Sequence, residues 1–119
     1  MWIILAGGYL VESLKKNKEF KKVYDNGKSY ATRNLVIYSL SYEKGKKNRY
    51  GLSVSRKIGN AVVRNKLKRR LREIIRDFEK EKDFKGYDII FIARKPVVKL
   101  DYQFLKKDVK KLYKKMNII

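Results

Sequence analysis

The spacing of hydrophobic residues changes along the chain between a helical period and the alternation typical of strands. Apolar residues three and four positions apart predict helices, whereas runs of β-branched and aromatic residues predict strands. The predicted helices are 17–25, 61–78 and 102–116. The predicted strands are 29–33, 35–41, 50–55 and 87–93. This αβββαβα order predicts an α+β domain in which helices pack on a mostly antiparallel four-stranded sheet.

Capping and turn residues set several of the predicted boundaries. Gly27 follows the first helix as a stop signal, and Asn60 and Asp101 each precede a helix as an N-cap. The polar run 43–48 predicts a hairpin loop between the second and third strands. The third strand, the second helix and the fourth strand form the one parallel crossover that this order permits, and we expect it to be right-handed.

Each of the two longer predicted helices has one apolar face, which we expect to pack on the sheet. In the second helix this face consists of Val63, Leu67, Leu71, Ile74 and Phe78. In the third helix it consists of Leu105, Val109, Leu112, Tyr113 and Met116.

The first residues of the chain are apolar but too few to cross a membrane. The apolar stretch covers 1–11, and a spanning helix needs about 20 such residues. A secretory signal has basic residues before its apolar core, whereas here Lys15 and Lys16 follow it. We therefore set residues 1–13 apart as an N-terminal extension without an assigned order and place the domain at 14–119.

Composition restricts the possible functions. The 119 residues include 32 Lys and Arg against 12 Asp and Glu, a net charge of +20, and neither Cys nor His. Disulfides, zinc–thiolate sites and histidine catalysis are therefore excluded. The charge predicts a polyanionic partner, either a nucleic acid or an anionic membrane surface. Membrane-surface binding requires an exposed apolar face, and the predicted apolar faces belong to the core.

The basic charge is densest at 56–72, which contains eight Lys or Arg residues and no acidic residue. In the helical part of this segment, the side opposite the apolar face carries Asn65, Arg69, Arg72 and Arg76, with Lys68 on its flank. Arginine grips phosphate oxygens through a fixed fork of donors, and asparagine can reach a base edge or a 2′-hydroxyl. The pattern favours a structured RNA over a solvated helix face, which normally mixes both signs of charge.

Two other arrangements resemble catalytic or metal sites, but each has a simpler interpretation. A serine–lysine pair built from Ser53, Ser55 and Lys57 is expected by chance in so lysine-rich a chain. Glu73 and Asp77 have the spacing of a metal-binding pair, yet the arginines around them favour surface ion pairs.

The segment 51–73, Gly-Leu-Ser-Val-Ser-Arg-Lys-Ile-Gly-Asn-Ala-Val-Val-Arg-Asn-Lys-Leu-Lys-Arg-Arg-Leu-Arg-Glu, closely resembles the signature of the bacterial ribonuclease P protein subunit. The resemblance extends over 14–113, including Tyr38, 17–20 and Ile-Ala-Arg-Lys-Pro at 92–96. Only the apolar N-terminal extension departs from it.

The resemblance implies the same element order, but with a left-handed crossover similar to that in the second domain of a ribosomal small-subunit protein. It also implies an accessory subunit of an endoribonuclease without catalytic or metal-binding side chains. The RNA subunit is then the catalyst. It uses Mg²⁺ to hydrolyse the phosphodiester bond that joins the 5′ leader to the mature tRNA. The implied partners are that RNA subunit and precursor tRNA, for a cytoplasmic protein that is neither membrane-bound nor oligomeric.

The resemblance and the helical pattern also predict two sets of RNA-contacting residues. The RNA subunit is expected to contact Arg64, Asn65, Lys66, Lys68, Arg69, Arg72 and Arg76. The single-stranded leader is expected in a cleft formed by Phe20, Tyr24 and Tyr38, with Ser55, Arg56 and Lys57 at its rim. Aromatic residues at such spacing are otherwise typical of a core. The alternative function is a ribosomal or general binder of structured RNA without a processing role.

Overall fold

A computed structural model describes residues 2–4, 10–13 and 17–117. The helices are α1 (Asn17–Asn26), α2 (Ala61–Glu81) and α3 (Tyr102–Lys115), with a short 3-10 helix at Lys95–Lys99. The strands are β1 (Trp2–Ile4), β2 (Leu10–Ser13), β3 (Lys28–Ala31), β4 (Leu35–Ser41), β5 (Arg49–Ser53) and β6 (Tyr87–Ala93). From residue 17 onward, the α+β class and the order αβββαβα are confirmed.

The N-terminal extension contributes strands that the sequence analysis did not assign. The sheet order is β1-β2-β5-β6-β4-β3, so the described residues form six strands and not four. β2 runs parallel to β5, with Glu12 opposite Arg49, and β1 pairs antiparallel with β2. These strands cover the edge of β5, whose backbone groups otherwise lack a partner on that side. Leu14, the predicted start of the domain, lies outside the described residues.

The predicted hairpin between β4 and β5 is wrong, because β6 lies between these two strands. β6 pairs antiparallel with β4 and parallel with β5, so α2 forms the predicted parallel crossover. Four consecutive residues of β6 are buried, as is typical of a central strand covered on both faces. The loop 43–48 instead contacts the residue that precedes β6: the Gly86 N–H donates to the Lys46 carbonyl at 2.7 Å.

Strand alternation gives the sheet two different faces. Ile37 of β4 and Phe91 of β6 point to the face covered by α2 and α3, which holds the main hydrophobic core. Ile90 points to the other face and packs with Val23 of α1 in a smaller cluster. Only α1 covers this second face within the described residues, so part of it remains open.

The basic helix α2 begins where the sequence predicts it to begin and runs one turn further. The Asn60 side chain accepts from the Val63 N–H at 3.0 Å, which confirms the predicted N-cap. The predicted core face is buried from Leu67 to Phe78 and is joined by Ile75. Val63 is 36% exposed and does not belong to the main hydrophobic core, so its predicted packing on the sheet is wrong.

A buried polar cluster attaches the extra turn of α2 to the sheet. The Glu79 carboxylate accepts from the Tyr50 hydroxyl of β5 and, at 2.8 Å, from the Asn48 side-chain amide. Burial raises the pKa of Tyr50 well above its ordinary value, so the phenol stays a neutral donor. The end of α2 is therefore fixed against β5, and the helix lies rigidly across the sheet.

The third helix matches its prediction closely. The Asp101 side chain accepts from the Phe104 N–H at 2.9 Å, which confirms this N-cap. The predicted apolar face is buried from Leu105 to Tyr113, and Met116 is half-buried against the same core. Thus α2 and α3 share one core, and their polar sides remain in solvent.

Candidate nucleic-acid interface

The side of α2 that faces away from the core carries the predicted cationic row. Asn65, Lys66, Arg69 and Arg72 are exposed, whereas Arg64 and Lys68 are half-buried at the margins. We call these six residues the basic face. Because their helix is capped at its start and attached to β5 at its end, the cationic groups project from a rigid support.

Within 2–4, 10–13 and 17–117, the cations of the basic face have no acidic partners. Among the residues that the structure describes, no carboxylate lies within 4.0 Å of the charged groups of Arg64, Lys68, Arg69 or Arg72. Arg64 instead donates from Nε to the Gly59 carbonyl at 3.2 Å, which holds the aliphatic part of the Arg64 side chain along the first turn of α2. Unneutralised charges this close together repel one another, and bound phosphates relieve that repulsion.

Arg76, the last predicted member of this row, differs from the others. Its Nη2 lies 2.8 Å from Asp77, and its side chain is only 21% exposed. Asp77 also pairs with Lys106 of α3 at 3.3 Å. Asp77 therefore takes part in ion pairs, as the sequence analysis favoured, and Arg76 is less available to a phosphate than Arg69 or Arg72.

The three predicted aromatic residues come together on the open face of the sheet. The rings of Phe20 and Tyr24 of α1 are 6.4 Å apart, and the Tyr24 ring meets Tyr38 of β4 edge-on at 5.0 Å. Phe20 and Tyr38 are half-buried, and Tyr24 is 37% exposed. These residues line the aromatic cleft between α1 and the sheet, where their rings are partly accessible and not sealed in the core.

Small residues of β5 form the floor of the aromatic cleft. Gly51 is opposite Ile90 in the sheet, and a Cβ atom on Gly51 would lie 2.6 Å from the Phe20 ring, so only glycine leaves this ring in place. Burial raises the pKa of Tyr24, while a hydrogen bond from the Ser53 side chain opposes that shift. Tyr24 therefore remains neutral near the end of β5.

The remaining predicted cleft residues follow directly from that end of β5. Ser55, Arg56 and Lys57 are all exposed in the segment between β5 and α2. Ser53, which contacts Tyr24, precedes them by two residues. The chain thus places two exposed cationic side chains between the end of β5 and the first turn of α2.

An ion pair holds α1 at the correct distance from the sheet. Arg49 of β5 binds the buried Asp88 of β6 through two hydrogen bonds of 2.6 Å, and its other amino group lies 3.7 Å from Glu19 of α1. The hydrogen bonds to Asp88 are the main cause that raises the pKa of Arg49. These contacts link α1 to β5 and β6 in addition to the apolar packing.

The sequence analysis missed Gly51 and Ser53 as cleft residues. A signal was present, because Gly51 and Ser53 alternate with the core residues Tyr50 and Leu52 and must face the opposite side of the sheet. The cleft role of Gly51 was not recognisable without the position of Phe20. The Arg49–Asp88 pair was missed because it joins residues of two strands that are 39 positions apart in the chain.

Among the described residues, no three Asp, Glu, His or Cys side chains lie close enough together to hold a metal ion. None of the described helices combines the length and hydropathy needed to span a bilayer.

Comparison with known proteins gives consistent matches. The family model described as Ribonuclease P matches residues 11–117. The ribonuclease P protein component of Bacillus cereus (strain AH187) is 47% identical over 102 residues, which cover 86% of this chain and 88% of that protein.

Solved structures give the same result. The Staphylococcus aureus RNase P protein matches with a TM-score of 0.82 at 33% identity, covering 91% of this chain and 97% of that one. The RNase P protein from Thermotoga maritima matches with a TM-score of 0.77 at 31% identity, covering 87% and 96%. The residues matched by the family model include the whole basic face and the whole aromatic cleft.

Proposed function

Because this chain belongs to the ribonuclease P protein family, we propose that it binds the RNA subunit of ribonuclease P and assists that RNA in removing the 5′ leader from precursor tRNA. The basic face contacts the RNA subunit, and the aromatic cleft holds the leader. The protein supplies binding and charge neutralisation, and the RNA subunit carries out the hydrolysis.

The observation that carries this proposal is the row of cations without acidic partners on a rigid helix. Arg69 and Arg72 are exposed and one helical turn apart, and no carboxylate of the described residues lies within 4.0 Å of their charged groups. Each guanidinium group can bind two oxygens of one phosphate, and the spacing suits successive phosphates of a folded RNA strand. Asn65 adds a neutral donor and acceptor on the same side, suited to a base edge or a 2′-hydroxyl.

The shape and chemistry of the aromatic cleft support leader binding. Partly exposed rings offer stacking surfaces that accept any base, since every base has a π-face. The cations of Arg56 and Lys57 lie where the chain leaves the cleft and can neutralise the backbone of a single strand. Leader recognition is therefore expected to tolerate differences in leader sequence.

The proposal assigns Mg²⁺ to the RNA subunit. The first acidic residues that follow the basic face along α2 are Glu73 and Asp77, and Asp77 is already paired with Arg76 and Lys106. These residues do not fit a magnesium site, which requires several oxygen ligands free of competing cations. RNA phosphates provide such ligands.

The rate of leader release at low Mg²⁺ tests the proposed function. We expect the protein to accelerate release of the 5′ leader from precursor tRNA by a bacterial ribonuclease P RNA, because it neutralises the repulsion between the two RNAs. The control is an unrelated basic protein of equal net charge. Tight RNA binding without specific stimulation would instead indicate a ribosomal or general RNA-binding role.

Two substitutions in the aromatic cleft are expected to reduce the preference for leader-bearing over mature tRNA. Phe20→Ala removes one stacking surface, and Gly51→Ala pushes the Phe20 ring out of its place. A lost stacking contact costs about 1–3 kcal/mol, so the affinity ratio between the two tRNAs should fall about 5- to 150-fold. The measurement is the dissociation constant of the holoenzyme for each tRNA.

The matched control for these variants is Tyr30→Ala, which removes a half-buried aromatic ring from the opposite face of the sheet. Tyr30→Ala should lower the free energy of unfolding while leaving the ratio of the affinities for leader-bearing and mature tRNA unchanged. An unchanged ratio in Phe20→Ala, with the protein folded, would contradict the cleft assignment and return these rings to a purely structural role.

A further inference from the structure

A second concave surface lies on the other side of the sheet, between the first turns of α2 and the 3-10 helix before α3. It is a groove of about 190 Å³, lined by apolar side chains that include Val63, Val98, Leu100 and Leu105. Val63 is 36% and Val98 48% exposed, so the apolar surface is open to solvent. We call it the α2–α3 groove.

Two cationic side chains border this groove. Lys66 and Arg70 are on the same side of α2 as Val63, one and two turns further along the helix. Arg70 Nη1 lies 3.5 Å from the Leu100 carbonyl, and this contact uses only one of the five donors of the guanidinium group. Lys66 also belongs to the basic face, so the groove is continuous with the surface proposed to bind the RNA subunit.

The combination of an apolar floor and a cationic border identifies the occupant. The groove is smaller than the 300–1,000 Å³ that are typical of sites for drug-sized ligands, and its size suits one planar ring system. A second copy of this chain is disfavoured, because each copy carries a net charge of +20. A nucleotide matches both parts of the surface: its base is apolar on both faces, and its phosphate is anionic.

We propose that the α2–α3 groove receives a single unstacked nucleobase of the RNA subunit, with the adjoining phosphate held by Lys66 and Arg70. The base lies against Val63 and Val98, and the RNA strand that carries it continues along the basic face. This inference rests on the proposed function and adds a contact that is separate from the aromatic cleft. It makes the protein sensitive to the local structure of the RNA as well as to its charge.

The test uses Val98→Ser, which removes apolar surface from the groove without changing the charge. The dissociation constant for the RNA subunit should rise about fivefold, whereas its dependence on salt should stay the same because no phosphate contact is lost. The matched control is Phe104→Ser at the start of α3. Phe104 is 58% exposed, lies outside the groove lining and is covered on one side by Lys107, so this variant should bind RNA normally.

Site-directed crosslinking identifies the occupant directly, because the chain has no natural cysteine. A photoactivatable group on Val98→Cys should crosslink to one short segment of the RNA subunit, and the same group on exposed Lys111→Cys should not. Equal loss of affinity in Val98→Ser and Phe104→Ser, or no crosslink from Val98→Cys, would overturn the inference. A dimer of the free protein that Val98→Ser dissociates would show a second copy in the groove and overturn it as well.

These outcomes are distinguishable from failure of the proposed function. If the wild-type protein does not bind the RNA subunit, the proposed function fails. If the wild type binds and stimulates leader release but both groove tests are negative, only the inference about the groove fails.

Discussion

The affinity of this protein for the RNA subunit of ribonuclease P should fall about 10³- to 10⁵-fold when the salt concentration rises from 50 to 200 mM. This range corresponds to about 6–10 phosphate contacts, each of which releases a condensed counterion from the RNA. The basic face, Arg56, Lys57 and Arg70 provide enough exposed or partly exposed cations for contacts of this number. Filter binding of labelled RNA over a series of salt concentrations measures the slope.

Arg69→Ala should reduce the magnitude of that slope by about one, since it removes one exposed guanidinium group without a carboxylate partner. The matched control is Lys114→Ala, which removes one exposed positive charge from the solvent side of α3. It should leave the slope close to the wild-type value. If both variants change the slope equally, RNA binding depends on total charge and not on the basic face. A flat salt response of the wild type would contradict phosphate binding altogether.

Leu71→Ala should lower the free energy of unfolding by about 2–5 kcal/mol. Leu71 is 1% exposed and lies on the face of α2 that packs against the main core. Truncation removes buried apolar surface and leaves a cavity that neighbouring side chains fill only partly. Urea unfolding followed by circular dichroism measures the effect, and an unchanged m-value shows that the amount of surface exposed on unfolding is the same.

Val62→Ala is the control on the same helix, because Val62 is 75% exposed. The loss of a β-branched residue from an exposed helical position should change the free energy of unfolding by less than about 0.5 kcal/mol.

The Leu71→Ala variant should also keep the wild-type salt slope of RNA binding at a temperature where it remains folded, since the basic face is intact. If Leu71→Ala lowered the free energy of unfolding by less than about 1 kcal/mol, α2 would not depend on the packing of Leu71 in the core.

The starts of α2 and α3 were predictable because they depend on local interactions. Asn60 and Asp101 satisfy backbone N–H groups three residues away, so each N-cap is encoded within one turn of sequence. The apolar faces of α2 and α3 follow from the helical period and needed no knowledge of what they pack against. Val63 was assigned wrongly because the period shows which side a residue is on but not how far the covering elements extend.

The position of β6 between β4 and β5 was not predictable from local pattern. The chain distance between β4 and β5 is short enough for a hairpin, and that is the interpretation that the polar loop favours. β6 takes the central place by pairing with β5 on one side and β4 on the other, and four of its residues are buried there. The strand order therefore depends on β6, which begins 34 residues after the end of β5.

The sequence by itself determined the family, the element order, the charged side of α2 and the residues proposed to bind RNA. These features follow from short-range periodicity and from a long continuous motif. The tertiary structure decided which of those residues are free to bind. It paired Arg76 with Asp77, opened the aromatic cleft over Gly51 and left the α2–α3 groove exposed. Such properties depend on contacts between residues far apart in the chain, and no local pattern encodes which side chains the folded protein brings together.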